Sequence, residues 1–186
     1  IKFGMDNSVF ASGSVRYVGS EIRAIILSKM QIDEGKNICV ISGESIAVEA
    51  AYLAAEGTVI AVEYNKHDRK TLEDNVSQFG LNNVSIVDHV DEETFQNLPI
   101  PDVTMLVASA SMEQEMACLL KLNPNMEFVI YTLDFGVAAS MSELCKKMGI
   151  IDVEIIQIAV SHLNQKHNFE TQPAPWIISG KANGEG

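Results

Sequence analysis

The chain has 186 residues, 47% hydrophobic and 20% charged, which suits one compact domain and excludes a disordered chain. A formal net charge of −12 argues against nucleic acid as a partner, because phosphate contacts need a basic field. Cys39, Cys118 and Cys145 are widely spaced, with neither metal-ligand spacing nor a disulfide framework; with no bilayer-length apolar run and no signal peptide, a cytoplasmic chain with buried free thiols and no membrane partner is expected.

Residues 1–17 lack periodicity and read as an N-terminal lead-in segment; residues 18–180 read as one domain, and 181–186 as a flexible tail. Position 1 is Ile, which fits a processed chain, a truncated one, or one domain of a longer polypeptide. Ile22 to Met30 has helical apolar spacing with Gly19 or Ser20 as its cap. Residues 37–41 form a short buried strand that ends in Ser42-Gly43, and Ser45 is expected to cap a helix stopped by Gly57. Strands follow at 58–63, 84–87, 103–107, 128–131, 153–160 and 176–179, with helices over 66–79, 111–121 and 135–148. Gly80 and Gly149 close the first and last of those helices. The alternation predicts an α/β fold, a mostly parallel sheet with helices on both faces. The last two strands flank a polar loop, 161–173, without a helix, which predicts an antiparallel pair at the sheet edge.

Ligands of open parallel sheets bind beyond the carboxyl ends of the strands. The first such turn is Ser42-Gly43-Glu44-Ser45, where a small residue lets backbone approach a ligand and the next helix offers free N–H groups. Glu63, followed by Tyr64, leaves the second strand where a carboxylate can accept both hydroxyl hydrogens of an adenosine ribose. Asp88 or Asp91, after the third strand, is a candidate acceptor for an adenine amino group, with a solvated acidic loop as the equal alternative. Ala108 and Ser109, after the fourth strand, leave room for a donor and an acceptor substrate, although Ser109 or Ser111 also suits a helix cap. His162 and His167 make a poor metal site, and Met105, Met112 and Met116 read as core or pocket wall.

A series of segments, in order along nearly the whole chain, resembles the decarboxylating carbon-15 methyltransferases of cobalamin biosynthesis, the precorrin-6Y group. The segments are Gly4-Met5-Asp6-Asn7-Ser8-Val9-Phe10, Glu21-Ile22-Arg23-Ala24 with Leu27-Ser28-Lys29-Met30, and Val48-Glu49-Ala50-Ala51. Val59 to Asn65, Asn75 to Val84 with its Phe79-Gly80, and Trp176-Ile177-Ile178-Ser179-Gly180 complete it. The departures fall in the loops. The family's first turn, Asp-x-Gly-x-Gly-[Ser/Thr]-Gly, is reduced to Ser42-Gly43-Glu44; its Gly-Asp after the third strand is His89-Val90; and its Gly-Gly-Ser-Gly is Val107-Ala108-Ser109-Ala110.

The resemblance implies a Rossmann-like methyltransferase fold with S-adenosylmethionine as cofactor. It implies methyl transfer to carbon-15 of a tetrapyrrole precorrin with loss of an acetate carboxyl, in a homo-oligomer, a tetramer in the family, and potentially behind a fused methyltransferase domain. Arg16, Arg23, His162 or Lys166 would bind the substrate carboxylates. The alternatives are a catalytically degenerate relative that keeps the fold as a structural or oligomerisation module, and a methyltransferase with another small-molecule substrate.

Overall fold

A computed structural model describes residues 2–11 and 18–184. Arg16 lies outside them. The strands are β1 Asn37–Ile41, β2 Thr58–Val62, β3 Val84–Val87, β4 Val103–Val107, β5 Glu127–Thr132, β6 Ile150–Gln157, β7 Ser161–Leu163, β8 Phe169–Thr171 and β9 Trp176–Ala182. The helices are α1 Ser20–Lys29, α2 Ser45–Leu53, α3 Lys66–Gln78, α4 Glu92–Phe95, α5 Met112–Leu122 and α6 Phe135–Lys147.

Seven strands form one sheet in the order β3-β2-β1-β4-β5-β9-β6. The first five run parallel, whereas β9 is antiparallel to both β5 and β6. The antiparallel pair at the edge is thus as expected, with β9 inserted between β5 and the outermost strand. The order turns back between β1 and β4, and this reversal is where an open α/β sheet leaves a ligand crevice at its carboxyl edge.

Alternate residues of the central strands feed two cores, one on each face. Ile38 and Val40 join Val59, Ala61 and the apolar faces of α1 and α2; Cys39 and Ile41 join Ile60, Val62, Met116 and Met141. Met105, Met112 and Met116 are core residues, and all three cysteines are buried free thiols. Helix α2 is buried from Ser45 through Ala51, apolar but for Ser45 and Glu49, as a helix packed over a sheet centre is.

Four features depart from the sequence expectation. Gly57 does not end α2, which stops at Leu53; a Cβ at Gly57 would lie 1.9 Å from the Lys36 carbonyl oxygen, so glycine there permits a close backbone crossing. The polar stretch 161–173 contains the exposed hairpin β7–β8, paired with Leu163 opposite Phe169. Strand β6 begins at Ile150 and carries a bulge between Ile151 and Glu154, with Asp152 at φ 55°. Strand β9 runs on to buried Ala182, into what reads as tail.

Candidate active site

The β1–α2 turn is built on strain. Ser42 has φ 58° and Glu44 has φ 41° with ψ −107°, a region that favours glycine. Each such residue costs on the order of 1–3 kcal/mol, and strained residues of this kind cluster at ligand sites. Gly43 between them is fixed by space: a Cβ there would meet Val40 Cγ1 at 2.4 Å and Met105 Sδ at 3.3 Å. The turn thus takes glycine-favouring backbone angles at two residues that are not glycine. Hydrogen bonds hold it, from Ser42 N to the Val62 carbonyl at 2.9 Å and from Ile46 N to the Gly43 carbonyl at 2.9 Å. Ser45 is not the helix cap. That position belongs to Glu44, whose side chain makes no capping bond because its backbone leaves the extended region a cap needs. Ser45 is the first helical residue, and its Oγ is buried with no partner among the described residues.

Glu63 follows β2 directly, and its backbone N–H donates to the Val87 carbonyl at 3.0 Å, fixing the chain beside the β3 tip. Its Oε1 accepts from Glu44 N at 3.3 Å, so the first turn and the second strand's carboxylate are one unit. Both side chains are almost wholly buried, Glu44 at 5% exposure and Glu63 at 4%. Burial, then the charge of Glu63 and of Asp68, raises the Glu44 carboxyl to about 8. Burial raises Glu63 to about 7, opposed by the Glu44 N–H and reinforced by Asp68. Oε1 and Oε2 of Glu44 have no hydrogen-bond partner among the described residues.

Tyr64 turns toward α5, and its hydroxyl donates to Glu115, which has no exposed surface. Burial raises the Glu115 carboxyl, and the second Glu115 oxygen has no partner among the described residues. Glu115 is a site neighbour that sequence reading missed; only its place in the first turn of α5, one helical turn after Ser111, marked it. Ala108 leaves β4 with its N–H bonded to the Tyr131 carbonyl at 2.9 Å, and Ser109 Oγ accepts from Ser111 N at 3.1 Å, a local cap. Asp91 caps α4 through Thr94 N at 2.7 Å, and Asp88 contacts His89 Nδ1 at 2.8 Å on the surface, so each spends one oxygen on a neighbour.

Arg23, expected at substrate carboxylates, is not accessible. It has no exposed surface, and its guanidinium is engaged by Glu49, Asn7 and the backbone carbonyls of Met5 and Val18. A buried guanidinium needs such acceptors, and with no exposed surface it cannot reach a ligand. His162 is exposed on β7 with Nε2 3.5 Å from Glu21 Oε1 at the start of α1. A cleft of about 290 Å3 opens at the end of β5, lined by Asn7, Ile22, Tyr131, Leu133, Gln172 and Pro175 among others. Nothing in the spacing of those residues predicts it, because the tip of β5 and the segment after β8 meet only through the β9 insertion.

The strand order, the antiparallel seventh strand and the carboxylate after β2 define a Rossmann-like methyltransferase fold. Residues 12–175 match the family described as precorrin methyltransferase domain, and the chain belongs to that family. It is similar in structure to a precorrin-6Y C5,15-methyltransferase from Geobacter metallireducens, with 23% identity, TM-score 0.88, and coverage of 97% of this chain and 98% of that one. The C-terminal domain of a precorrin-6Y C5,15-methyltransferase from Rhodobacter capsulatus gives 20% identity, TM-score 0.75 and coverage of 96% and 97%. Precorrin 8W decarboxylase from Methanobacterium thermoautotrophicum gives 17%, 0.73 and coverage of 95% of each chain. No curated protein sequence matches.

The cofactor of such a methyltransferase is S-adenosylmethionine, and the residues present fit it. Three buried carboxylate oxygens, two on Glu44 and one on Glu115, lack donors among the described residues. Each such orphan costs roughly 1–3 kcal/mol until something donates to it. Ribose hydroxyls, an ammonium and a sulfonium would supply the donors and positive charge that Glu44 and Glu63 lack at the tips of β1 and β2.

Proposed function

We propose that the chain binds S-adenosylmethionine across the tips of β1 and β2 and methylates carbon-15 of a precorrin, with loss of carbon dioxide from an acetate side chain. The observation that carries this reading is the hydrogen-bonded unit of Glu63 and the strained β1–α2 turn, at the strand reversal of a precorrin methyltransferase domain. Bound there, the cofactor supplies an electrophilic methyl group on a cationic sulfur.

The chain's part is positioning, which is the chief need of an in-line displacement. Glu63 accepts from the ribose, Ser42, Gly43 and Ser45 bring backbone against the cofactor, and Tyr64, held by Glu115, bounds the adenosine side. Asp88 or Asp91 receives the adenine amino group. Ala108 and Ser109, at the tip of β4, and the cleft at the tip of β5 leave space for the macrocycle. Arg16 and His162 meet its carboxylates; His162 does so by exchanging its Glu21 contact for the substrate.

The β7–β8 hairpin presents exposed Leu163 and Phe169 side by side, an apolar patch that suits a homo-oligomer, a tetramer in this reading. The Rhodobacter chain is a C-terminal domain, which supports a fused preceding domain here as well. Among the described residues no helix is long and apolar enough to cross a membrane, and we place the protein in the cytoplasm.

One observation favours the second reading, a catalytically degenerate relative: Glu44 stands where the resembling family has glycine. Methyl-labelled S-adenosylmethionine with cobalt-containing and cobalt-free precorrin substrates separates the two. Label transfer to the macrocycle with release of carbon dioxide supports the enzyme. Transfer without that release removes decarboxylation, and no transfer to either substrate by folded protein leaves only the scaffold.

A further inference from the structure

Among the described residues, the Glu44 carboxylate has both oxygens buried and neither hydrogen-bonded. The residue is nine-tenths buried, in a backbone conformation that costs free energy. Although Glu44 occupies the cap position of α2, its side chain makes no capping bond and no ion pair among the described residues, so no structural duty accounts for the carboxylate. The charged groups acting on it are Glu63, at the end of β2, and Asp68, in the first turn of α3, and both are acidic. Helix α2 adds no charge in its first turn.

We infer that Glu44 is a charge-selecting residue for the cofactor: from the first strand–helix turn, paired with Glu63, its carboxylate favours the cationic S-adenosylmethionine over the product S-adenosylhomocysteine, whose sulfur is neutral. This rests on the proposed cofactor site. A buried carboxylate pair has too much negative charge to stay fully ionised, so it holds a proton while empty. An arriving sulfonium favours the ionised pair, and the proton leaves to solvent. The product lacks that positive charge, so it gains nothing from ionisation and departs from a pair that takes the proton back. Selection of substrate over product is then built into the turn, and the strain at Glu44 is the cost of setting a carboxylate there.

The sign follows. Both carboxyls lie above their ordinary range, so the ionised pair becomes populated as pH rises through about 7 to about 8. Affinity for S-adenosylmethionine rises relative to S-adenosylhomocysteine across that window. The sulfonium lowers the ammonium pKa of S-adenosylmethionine but not of S-adenosylhomocysteine, so the ratio is read as a difference between wild type and Glu44→Gln, in which that ligand titration cancels.

Calorimetry on the full chain tests this with both ligands, at about pH 6 and about pH 8.5, in buffers of different ionisation enthalpy to count protons. The wild-type preference for S-adenosylmethionine should grow roughly tenfold between the two pH values, with protons released on its binding only. In Glu44→Gln the growth of the preference with pH and the proton release should both be reduced, with Glu63 alone left to titrate. Glu44→Gly, which suits the local backbone, should fold and show the same shallower rise. A wild-type ratio that rises no more steeply with pH than that of Glu44→Gln overturns the inference and leaves the cofactor site standing. Folded wild-type protein that binds neither ligand overturns both.

Discussion

Arg23 Nε and Glu49 Oε1 lie 3.0 Å apart, and neither side chain has any exposed surface. The pair joins α1 to α2, and it also ties down the start of the chain. Glu49 accepts from Gly4 N at 3.2 Å and Met5 N at 3.0 Å, while the Arg23 guanidinium reaches the Met5 carbonyl and stacks 5.1 Å over Phe10. An ion pair satisfied on all sides is stable; one with a partner removed leaves a buried charge.

Glu49→Ala should therefore destabilise the fold by about 3–5 kcal/mol. Residues 4–10 should become sensitive to limited proteolysis below the unfolding temperature. Arg23→Ala should do the same. A melting temperature within a degree or so of wild type for either variant would show that the pair contributes little, against the usual cost of an orphaned buried charge.

Glu44→Gly should stabilise the ligand-free protein. The substitution relieves the strain at φ 41°, worth on the order of 1–3 kcal/mol, and also removes two unpartnered buried oxygens. A raised denaturant midpoint with an unchanged slope is the expected result. A lowered midpoint would mean that Glu44 has a structural partner in solution.

Gly43→Ala should have the opposite effect. Its Cβ would fall 2.4 Å from Val40 Cγ1, and Val40 is a core strand residue at 1% exposure that has no room to withdraw. Overpacking of this kind costs typically about 1–3 kcal/mol. Adding Val40→Ala to Gly43→Ala should recover part of that loss, although the smaller side chain sacrifices buried area of its own. Absence of any recovery would place the strain elsewhere in the turn.

Stability of the ligand-free chain should fall as pH rises from about 5 to about 8.5. Glu44 and Glu63 titrate near 4.5 when unfolded and at about 8 and about 7 when folded, so between those values the folded state holds more protons than the unfolded one. Raising pH strips them and removes stability, on the order of a few kcal/mol. Melting curves across that range should show the decline in wild type and a shallower one in Glu44→Gln. A flat wild-type profile would contradict the buried, raised pair.

The scaffold was far more legible in the sequence than the site. The segments that resemble the family turn out to hold the framework: Arg23 and Glu49 meet each other, and Asn75 bonds the Ala11 backbone at 2.7 Å. Asn83 donates to the Ala51 and Ala54 carbonyls at 2.9 Å, at the end of α2. Framework contacts depend on side chains of fixed type, so they leave a mark in sequence. Arg23 also shows the limit of that mark: a cation in a helix reads as a surface group, and only the packed fold reveals that its acceptors come from three segments. The Ser42-Gly43-Glu44 turn left little trace because its shape is carried by backbone angles, held by bonds to Val62 and Glu63 rather than by glycine. The β7–β8 hairpin was hidden because both strands are exposed and show no apolar alternation.

The most direct measurement is calorimetric binding of S-adenosylmethionine to wild type, Glu63→Ala and Glu63→Gln at one pH. Wild type should bind, and Glu63→Ala should bind roughly a hundredfold more weakly, the worth of two hydroxyl bonds to a carboxylate. Glu63→Gln, which keeps one acceptor, should fall between. Folded wild-type protein with no binding at roughly millimolar ligand, or a Glu63→Ala protein as tight as wild type, would contradict a cofactor site anchored at the tip of β2.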